Sequence, residues 1–543
     1  MLTHASTYAE LCERFSWQVP GRYNMGVDVC DKWAQQDPDR LALIYVNAVG
    51  DVSEYSFGRM RELSNRLANL LRQNGVERGD RVAVLLPQCP EAALGHIAAH
   101  KLGAISIPLF TLFGAEALQY RLQDSGACSV ITDARGAERL AGLRNSLPNL
   151  KHIFCIDGPC PEGRDLAAEM AASSDVFEPV ATSADDPAVI IYTSGTTGQP
   201  KGALHAHRVL LGHLPGVEMS HDLFPREGDR IWTPADWAWI GGLLDVLMPA
   251  LHHGVTVVAR RFEKFDPEAA LQFMQDFGVR NAFIPPTALK MLRSVPEPEK
   301  RWKLRLRSIA SGGESLGTEL LEWGRRSLGV TINEFYGQTE CNMVVSGCGL
   351  LEPPVEGVMG WPVPGHDVAI VDDHGNPLSD GEQGNIAVKS PDPVMFLGYW
   401  NNPAATQAKF AGDWLLTGDV GYRRPDGRLC FVGRNDDVIT SSGYRIGPGE
   451  IEDCLLRHPA VQMAAVIGKP DPLRTEIVMA YVVLKAGHEA QPELATELKE
   501  WVRSRLAAHE YPRELEFVDS LPMTTTGKVI RQELRRRATE AKD

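Results

Sequence analysis

The segment Tyr192-Thr-Ser-Gly-Thr-Thr-Gly-Gln-Pro-Lys-Gly202 combines glycines, hydroxyl side chains and one lysine, and it directly follows the apolar run Ala188–Ile191. That run predicts a buried strand leading into a loop. Glycines let a backbone approach a polyphosphate closely. Amide, hydroxyl and ammonium groups can then bind the phosphate oxygens. A flexible surface linker is the alternative, but it would not need a buried strand before it. We therefore predict a phosphate-binding loop with these candidate groups: Thr193, Ser194, Gly195, Thr196, Thr197, Gly198 and Lys201.

Composition sets bounds on the class of protein. The chain has 543 residues, 44% of them hydrophobic, which predicts more than one domain and a large core. Its net charge of −15 disfavours a general nucleic-acid binder. The ten cysteines form no Cys-x-x-Cys pair, which is typical of reduced thiols in a cytoplasmic protein. We find neither a secretion signal nor an apolar stretch of the ~20 residues that a membrane span needs.

The first third of the chain predicts alternating helices and strands. Leu63, Leu67, Leu70 and Leu71 lie on one face of a predicted helix. Strands separated by helical segments favour a largely parallel sheet with helices on both faces. The predicted strands are 81–87, 105–110, 129–132 and 152–156.

Two further strands are predicted to end in polar turns. The run 306–310 leads into Ser311–Ser315, and the run 331–336 leads into Gly337–Glu340. The carboxyl ends of neighbouring parallel strands are where such sheets collect ligand groups. Glu340 is the candidate ligand for a Mg²⁺ that bridges phosphates, because this cation prefers carboxylate and phosphate oxygens. A solvated loop glutamate is the alternative.

The segment Trp232–Gly242 contains three tryptophans and two glycines. Tryptophans at this density fit a hydrophobic core and a binding pocket about equally well. Gly241 and Gly242 favour the pocket because they leave room beside the rings.

Six motifs, in order, resemble those of the adenylate-forming superfamily, which includes acyl-CoA synthetases, aryl-CoA ligases, luciferases and peptide-synthetase adenylation domains. The resemblance covers nearly the whole chain and is greatest to the medium-chain acyl-CoA synthetase group. It implies an α/β fold with a large N-terminal domain of packed mixed and parallel sheets with helices, and a small mobile α+β C-terminal domain. The motifs are Tyr192–Gly202, Tyr336–Glu340, Thr417–Asp419, Gly433–Asp437, Ser442–Arg445 and Thr526–Lys528.

The resemblance implies an ATP site. The phosphates would lie on the loop 193–201, and two turns would flank the adenine and the α-phosphate. Asp419 would bind both ribose hydroxyls, which suits a carboxylate with two acceptor oxygens, and Arg434 would also contact the ribose. The remaining implied contacts are Gly313, Glu314, Ser315, Glu334, Phe335, Tyr336, Gly337, Gln338, Thr339 and Lys528.

The resemblance also implies two domains. Residues 1–434 would form an adenylation domain with the ATP and acyl sites, and residues 435–543 a lid that turns about a hinge near Asp436. The lid would carry the catalytic Lys528, which acts beside Thr339 and Glu340. The implied CoA contacts are Ser442, Gly443, Tyr444, Arg474 and Arg513, with exposed surface arginines as the alternative for the last two. The run Arg535–Arg537 is interpreted as a solvated helix face.

The implied reaction has two halves. ATP and a carboxylic acid form an acyl-adenylate and pyrophosphate, and CoA then takes the acyl group with release of AMP. Acetate-selective relatives carry a tryptophan where this chain has Gly337, so we predict a short- to medium-chain acid, including branched and thioether-containing ones. The candidate pocket walls are Trp237, Trp239, Gly241 and Gly337.

Other activities and partners remain open. An aryl-CoA ligase, an acetyl- or propionyl-CoA ligase and a stand-alone adenylation enzyme that loads a carrier protein are the alternatives. The expected partners are ATP, Mg²⁺, CoA and a small carboxylic acid, without nucleic acid or a membrane span. A homodimer is one alternative for the assembly, and the expected location is cytoplasmic.

Overall fold

The computed structural model describes residues 1–160, 162–193, 199–313, 316–441, 444–471, 474–506, 511–524 and 528–540. It is a mixed α/β structure, as predicted. None of the helices in these ranges is both long and apolar enough to span a membrane.

Strands occur along the whole chain. They are β1 (Leu41–Val46), β2 (Val52–Ser56), β3 (Arg81–Leu85), β4 (Ile105–Pro108), β5 (Ser129–Thr132), β6 (His152–Cys155), β7 (Arg164–Asp165), β8 (Pro187–Thr193), β9 (Lys201–Ala206), β10 (Arg230–Trp232), β11 (Thr256–Arg260), β12 (Asn281–Phe283), β13 (Ser308–Gly312), β14 (Ile332–Gln338), β15 (Cys341–Ser346), β16 (Val358–Pro362), β17 (Val368–Val371), β18 (Gly384–Lys389), β19 (Gly398–Tyr399), β20 (Phe410–Ala411), β21 (Trp414–Arg423), β22 (Leu429–Arg434), β23 (Ile439–Ser441), β24 (Tyr444–Ile446), β25 (Val461–Asp471), β26 (Thr475–Leu484) and β27 (Glu514–Phe517).

Helices alternate with these strands. They are α1 (Tyr8–Arg14), α2 (Lys32–Gln36), α3 (Phe57–Gln73), α4 (Pro90–Lys101), α5 (Ala115–Ser125), α6 (Ala134–Ala141), α7 (Leu166–Ala171), α8 (Val209–Ser220), α9 (Ile240–Gly242), α10 (Met248–His252), α11 (Pro267–Asp276), α12 (Pro286–Arg293), α13 (Pro298–Arg301), α14 (Thr318–Trp323), α15 (Pro403–Gln407), α16 (Pro448–Leu456), α17 (Pro492–Arg503) and α18 (Arg531–Glu540). Short π-helical segments cover Val27–Asp31, Leu243–Leu247 and Gly324–Leu328, and Arg144–Ser146 forms a 3₁₀ turn.

The chain divides into two compact units. The first contains Met1–Val355, Met359–Asp367 and Lys389–Phe410, and the second contains Glu356–Val358, Val368–Val388 and Ala411–Asp543. The division leaves Asp436 inside the second unit, and the boundary after residue 434 stays a prediction.

Two sheets form the first unit. An eight-stranded sheet has the order β19-β9-β8-β4-β3-β5-β6-β7, and a second sheet runs β16-β15-β14-β13-β12-β10-β11-β1-β2. The pairs among β3, β4, β5, β6 and β8 are parallel, whereas β8, β9 and β19 pair antiparallel. This mixture of parallel and antiparallel pairs confirms the predicted mixed and parallel sheets.

A buried layer lies between the two sheets. Its largest apolar cluster combines residues of both sheets with residues of α3, α4 and α8. Every residue of α8 and all but one of α4 are buried, so these helices are apolar around most of their circumference. Lys101 at the end of α4 is fully buried, and its ammonium contacts Asp31 at 2.5 Å, Ser64 Oγ at 2.8 Å and Asn65 Oδ1 at 2.9 Å.

The second unit contains two groups of strands. One follows the order β17-β18-β21-β22, and the other is a five-stranded sheet, β24-β23-β26-β25, in which β27 joins β26. Side chains alternate along β25: Ala464 and Val466 pack with residues of α16 and α17, and Ala465 and Ile467 pack with residues of α18. The sheet therefore has helices on both faces.

Candidate active site

The predicted phosphate loop connects two strands of a β-hairpin. β8 and β9 pair antiparallel up to Thr193 and Lys201, so the loop lies between those two residues. In the common nucleotide-binding loop, by contrast, the lysine opens a helix. Of the predicted phosphate ligands, Thr193 and Lys201 are described, and the others lie outside the described residues: Ser194, Gly195, Thr196, Thr197 and Gly198.

Hydrogen bonds brace both strands of this hairpin. Tyr192 Oη donates to Asp124 Oδ2 at 2.7 Å, and burial raises the pKa of the Tyr192 hydroxyl far above its usual value. Tyr120 Oη donates to the Pro200 carbonyl at 3.0 Å. The Trp400 amide donates to the Gly202 carbonyl at 2.7 Å. The base of the loop is therefore fixed by side chains of α5 and by the backbone beside β19.

Thr339 and Glu340 form the tip of a second hairpin. The predicted strand 331–336 is longer in the structure: β14 continues to Gln338, and β15 begins at Cys341. Only Thr339 and Glu340 turn the chain, and Gln338 pairs with Cys341. The expected turn Gly337–Glu340 is thus corrected to a two-residue hairpin turn.

Gly337 is glycine because a strand backbone passes next to it. A Cβ at this position would lie 2.4 Å from the Met343 amide nitrogen and 2.6 Å from Asn342 Cα. Gly216 of α8 meets the same strand, since a Cβ there would lie 2.6 Å from the Met343 carbonyl oxygen. The hairpin therefore packs without space for side chains at these two positions, whatever acid the protein binds.

Tyr399 connects the two hairpins. Its hydroxyl donates a short hydrogen bond to Glu340 Oε1, and Lys201 Nζ lies 5.1 Å from the centre of its ring. Burial and the Glu340 charge raise the pKa of Tyr399 well above its usual range, so the phenol stays a donor. The Phe396 amide donates to the Glu340 carbonyl at 2.9 Å. The candidate phosphate-binding lysine and the candidate metal ligand thus contact one tyrosine.

The other predicted ATP contacts on β14 differ in burial. Phe335 is 5% exposed and packs against Phe283 with a ring-centre distance of 5.3 Å, whereas Glu334, Tyr336 and Gln338 are half-buried. Lys409 Nζ donates to Gln338 Oε1 at 3.1 Å. Gly313 follows β13 with a φ of +95°, and Glu314 and Ser315 lie outside the described residues. The predicted strand 306–310 is shifted to Ser308–Gly312.

The tryptophan segment contributes to both the core and a half-exposed aromatic wall. Trp237 is 2% exposed, and its indole nitrogen has no hydrogen-bond partner among the residues that the structure describes. Trp239 is half-buried and packs against Phe283 at 5.5 Å. A Cβ at Gly241 would lie 3.0 Å from the Trp239 ring. Of the two predicted tryptophan walls, Trp239 therefore has the geometry of a wall.

Two acidic groups near these elements were not singled out from the sequence. Burial raises the pKa of Asp236 to about 6, and its Oδ1 accepts from the Ala238 amide at 2.9 Å. Burial also raises the pKa of Asp245 well above its usual value. Asn342 Nδ2 donates to Asp245 Oδ1 at 2.7 Å, which ties β15 to the π-helical segment.

In the second unit, the two predicted ribose contacts are cross-strand neighbours. Asp419 of β21 pairs with Arg434 of β22, although they lie 15 positions apart in the chain. Arg434 Nε lies 3.5 Å from Asp436 Oδ1, and the amides of Asp437 and Val438 donate to the Arg434 carbonyl. The predicted hinge residue therefore lies in a tight turn directly after β22.

Lys528 is exposed and follows a loop whose ends are joined by two hydrogen bonds. The Thr524 amide donates to the Lys528 carbonyl at 2.7 Å, and the Lys528 amide donates to Thr524 Oγ1 at 3.0 Å. Three residues later, Arg531 binds both carboxylate oxygens of Glu452 at 2.7 Å. The start of α18 is therefore anchored to α16.

Arg536 and Arg537 are exposed, as expected for a solvated helix face, whereas Arg535 is half-buried and corrects that interpretation at its own position. Its guanidinium donates to Asp437 Oδ1 at 2.5 Å, and Arg531 lies 3.6 Å from Asp437 Oδ2. The residue after the predicted hinge is therefore linked by ion pairs to the helix that follows Lys528. The sequence showed the charges but not their partners, which are nearly 100 residues away in the chain.

Three strands meet where the predicted CoA contacts begin. Ser441 of β23 pairs with Tyr444 of β24 and with Thr475 of β26. The Arg474 amide donates to Asp471 Oδ1 at 2.9 Å, and the Arg513 amide donates to the Val478 carbonyl at 2.8 Å. Tyr444 and Arg474 therefore lie at one end of this sheet, with Arg513 further along β26. Ser442 and Gly443 lie outside the described residues.

Comparison with protein families decides the class of protein. The model described as AMP-binding enzyme matches residues 30–400, and the model described as AMP-binding enzyme C-terminal domain matches residues 450–528. The chain belongs to the AMP-binding enzyme family.

Similar members of the AMP-binding enzyme family match nearly the full chain. Acetyl-coenzyme A synthetase of Bacillus subtilis (strain 168) is 36% identical over 97% of this chain and 94% of its own length. The mitochondrial acyl-coenzyme A synthetase ACSM4 of Rattus norvegicus is 36% identical over 97% of this chain and 92% of its own length. The crystal structure of the anthranilate CoA ligase AuaEII in complex with anthranoyl-AMP has a TM-score of 0.88 at 28% identity, covering 96% of this chain and 98% of that one.

These relatives confirm the predicted adenylate-forming superfamily and the α/β fold with a small C-terminal domain. They also confirm an enzyme: the chain is an AMP-forming ligase of the acyl-CoA synthetase type, dependent on ATP, with CoA as a substrate.

Proposed function

We propose that the protein activates a short- to medium-chain carboxylic acid with ATP to an acyl-adenylate and pyrophosphate, and then transfers the acyl group to CoA with release of AMP. The observation that best supports this proposal is the contact of Lys201 and Glu340 with opposite parts of Tyr399. A cation on the phosphate loop and a buried carboxylate at the Thr339–Glu340 turn are the charges that a magnesium-bound triphosphate requires.

In the proposed first half-reaction, the loop residues Thr193 to Lys201 bind the departing pyrophosphate end of ATP. The β14 residues 334–339 and Gly313 to Ser315 flank the adenine and the α-phosphate, and Asp419 and Arg434 hold the ribose. A carboxylate oxygen attacks the α-phosphorus while the bond to pyrophosphate breaks. Lys528 offsets the charge that develops between the two anions.

The described residues fit a magnesium site that is completed by the substrate. No group of three or more His, Cys, Asp and Glu side chains in the described ranges is arranged to hold a metal ion. Mg²⁺ nevertheless binds to one or two carboxylates with phosphate oxygens and waters, so a single buried carboxylate suffices. Glu340 would hold the ion, which would neutralise phosphate charge when bound.

In the proposed second half-reaction, the lid turns about Asp436. Lys528 leaves the site, and Ser442, Gly443 and Tyr444 approach a channel for the pantetheine arm of CoA, with Arg474 and Arg513 near its nucleotide. The CoA thiol attacks the acyl carbonyl, and the bond to the AMP oxygen breaks. The Asp437–Arg535 and Arg531–Glu452 ion pairs support this proposal, because they link the residue after the hinge to the segment that carries Lys528.

The proposed acid is larger than acetate. The relatives differ here, since one is named for acetyl-CoA and another for acyl-CoA. Gly337 gives weaker support than expected, because backbone packing already requires glycine there. Trp239 is the better candidate for a pocket wall, since its ring is half-exposed beside Gly241 and Gly313.

An acid panel tests the proposed function and substrate size together. We expect AMP and acyl-CoA from ATP, CoA and an acid, with a higher kcat/KM for butyrate, hexanoate or octanoate than for acetate and benzoate. Highest efficiency with acetate or benzoate would contradict the proposed substrate class. Formation of ADP in place of AMP would contradict the proposed reaction.

Trp239→Phe tests the pocket wall. A smaller ring should favour longer acids. We expect kcat/KM for octanoate, divided by kcat/KM for butyrate, to rise about tenfold, since one methylene in an apolar pocket changes kcat/KM by at least that factor. The matched control is Trp33→Phe, a half-buried tryptophan that donates to the His252 carbonyl at 2.7 Å. An unchanged ratio in Trp239→Phe, or an equal shift in the control, would exclude Trp239 as a wall.

A further inference from the structure

Tyr399 is held in place by its own backbone. It lies on the two-residue strand β19, where Tyr399 pairs with Ala203 and Gly398 pairs with Leu204 of β9. The Tyr399 amide donates to Thr406 Oγ1 at 2.8 Å, and the amides of Leu397 and Trp400, which flank β19, donate to carbonyls of β9 at 2.7 Å. The side chain is 8% exposed. Its ring therefore has a fixed position relative to the base of the phosphate loop.

The hydroxyl and the ring of Tyr399 have different neighbours. The hydroxyl donates to Glu340 Oε1, and within the described part of the chain it is the hydrogen-bond donor to this carboxylate. The ring face lies 5.1 Å from Lys201 Nζ, which is the geometry of a cation–π contact. Because Glu340 is only 6% exposed, its orientation depends on protein groups more than on water.

The Tyr399 side chain also contacts two opposite charges. Lys201 and Glu340 form no ion pair with each other, although both contact the same side chain. A direct pair would occupy the lysine that the phosphate loop needs and the carboxylate that a metal ion needs. The contact with the Tyr399 ring leaves both groups available, since the ring attracts the cation without neutralising the carboxylate.

We propose that Tyr399 is a positioning residue that orients the Glu340 carboxylate for a phosphate-bound Mg²⁺ and keeps Lys201 from pairing with it. This inference rests on the proposed function. Groups that hydrogen-bond to metal ligands fix the ligand orientation, and their loss typically weakens metal binding 10- to 100-fold. Tyr399 would thus set the Mg²⁺ requirement without touching ATP.

The two roles of Tyr399 can be separated by substitution. Tyr399→Phe removes the donor to Glu340 and keeps the ring beside Lys201. We expect the Mg²⁺ concentration for half-maximal ATP binding to rise about tenfold, with ATP affinity in the absence of Mg²⁺ unchanged. Tyr399→Leu also removes the ring, so Lys201 can pair with Glu340, and ATP affinity without Mg²⁺ should fall as well.

Equilibrium dialysis of ATP against the full-length protein, titrated with Mg²⁺, measures these effects without turnover. The matched control is Tyr23→Phe, because Tyr23 Oη donates to the Asp28 carboxylate at 2.6 Å and is equally buried. The control should keep the wild-type Mg²⁺ curve, and calorimetry checks that each variant is folded.

The outcomes distinguish the inference from the proposed function. The inference would be overturned if Tyr399→Phe needed the same Mg²⁺ concentration for half-maximal ATP binding as the wild type, or if Tyr23→Phe raised that concentration equally. Either result would leave the proposed function intact. ATP binding that is independent of Mg²⁺ in the wild type would overturn the Mg²⁺ role of Glu340 and, with it, the inference. A wild type that binds no ATP would overturn both the proposed function and the inference.

Discussion

Replacing Lys528 with alanine should lower the rate of acyl-adenylate formation by about 10²- to 10³-fold, because a positioned charge that stabilises a transition state is typically worth that much. The attacking carboxylate and the triphosphate repel each other, and Lys528 is the lid cation proposed to offset that repulsion. Acid-dependent exchange of labelled pyrophosphate into ATP measures this half-reaction alone. Thioester formation from pre-made acyl-adenylate and CoA should survive, because the lysine has left the site by then.

The appropriate control is another exposed lysine of the same unit. Lys485 is exposed at the end of β26, and Lys485→Ala removes the same charge without changing the loop 524–528. Its exchange rate should equal that of the wild type. Retention of exchange by Lys528→Ala, or loss of both half-reactions to the same extent, would contradict the role proposed for Lys528.

The protein should lose stability steeply as the pH falls from 7 to 5. Burial lowers the pKa of His96, His205 and His221 to about 3, and that of His207 and His213 to about 4. The unfolded chain binds protons at these positions below about pH 6.5, whereas the folded chain does not. The stability that depends on neutral histidines is therefore present above pH 6.5 and is lost as the pH falls towards 4.

The expected loss in the free energy of unfolding is large for a protein. Each of these histidines lowers the free energy of unfolding by about 2 kcal/mol between pH 7 and 5, and five of them by an amount on the order of 10 kcal/mol. Asp236, with a pKa of about 6, and Asp245, whose pKa burial raises well above its usual value, oppose this because they take up protons in the folded state; Asp236 offsets about 1 kcal/mol. Calorimetry at pH 7, 6 and 5 should show a falling unfolding midpoint.

His96→Leu is the matched variant for the acid effect. His96 is buried in α4, and its Nδ1 has no hydrogen-bond partner in the ranges that the structure describes. The variant should lose about 2 kcal/mol less stability than the wild type between pH 7 and 5, since it has one fewer site to protonate on unfolding. A midpoint that stays constant or rises as the pH falls would contradict the assigned burial of these histidines.

Local sequence patterns predicted strand positions well where a strand is short, apolar and buried. β5 covers the predicted residues 129–132 without change, and β3, β4 and β6 begin at the predicted residue. Their limits follow from the change between apolar and turn residues, which is visible in the sequence. β14 was predicted too short because Gly337 and Gln338 resemble loop residues. Their strand conformation depends on packing against β15, which no local pattern reveals.

The motifs located the candidate site, but not the contacts that organise it. Lys201 and Glu340 were singled out from the sequence, whereas Tyr399 was missed because it is 59 residues from Glu340 in the chain. Its position next to Gly398 in a short strand is the only local signal. Trp237 and Trp239 were predicted as equivalent walls, and only the fold distinguishes the buried ring from the half-buried one.

A carboxylic acid labelled with ¹⁸O in both oxygens tests whether the acid is activated through an acyl-adenylate. Wild-type protein, ATP and CoA should convert it to acyl-CoA with one ¹⁸O in AMP and none in pyrophosphate, because the attacking oxygen stays on the α-phosphorus. Acyl-CoA formed with unlabelled AMP, or with label in orthophosphate and production of ADP, would contradict activation through an acyl-adenylate.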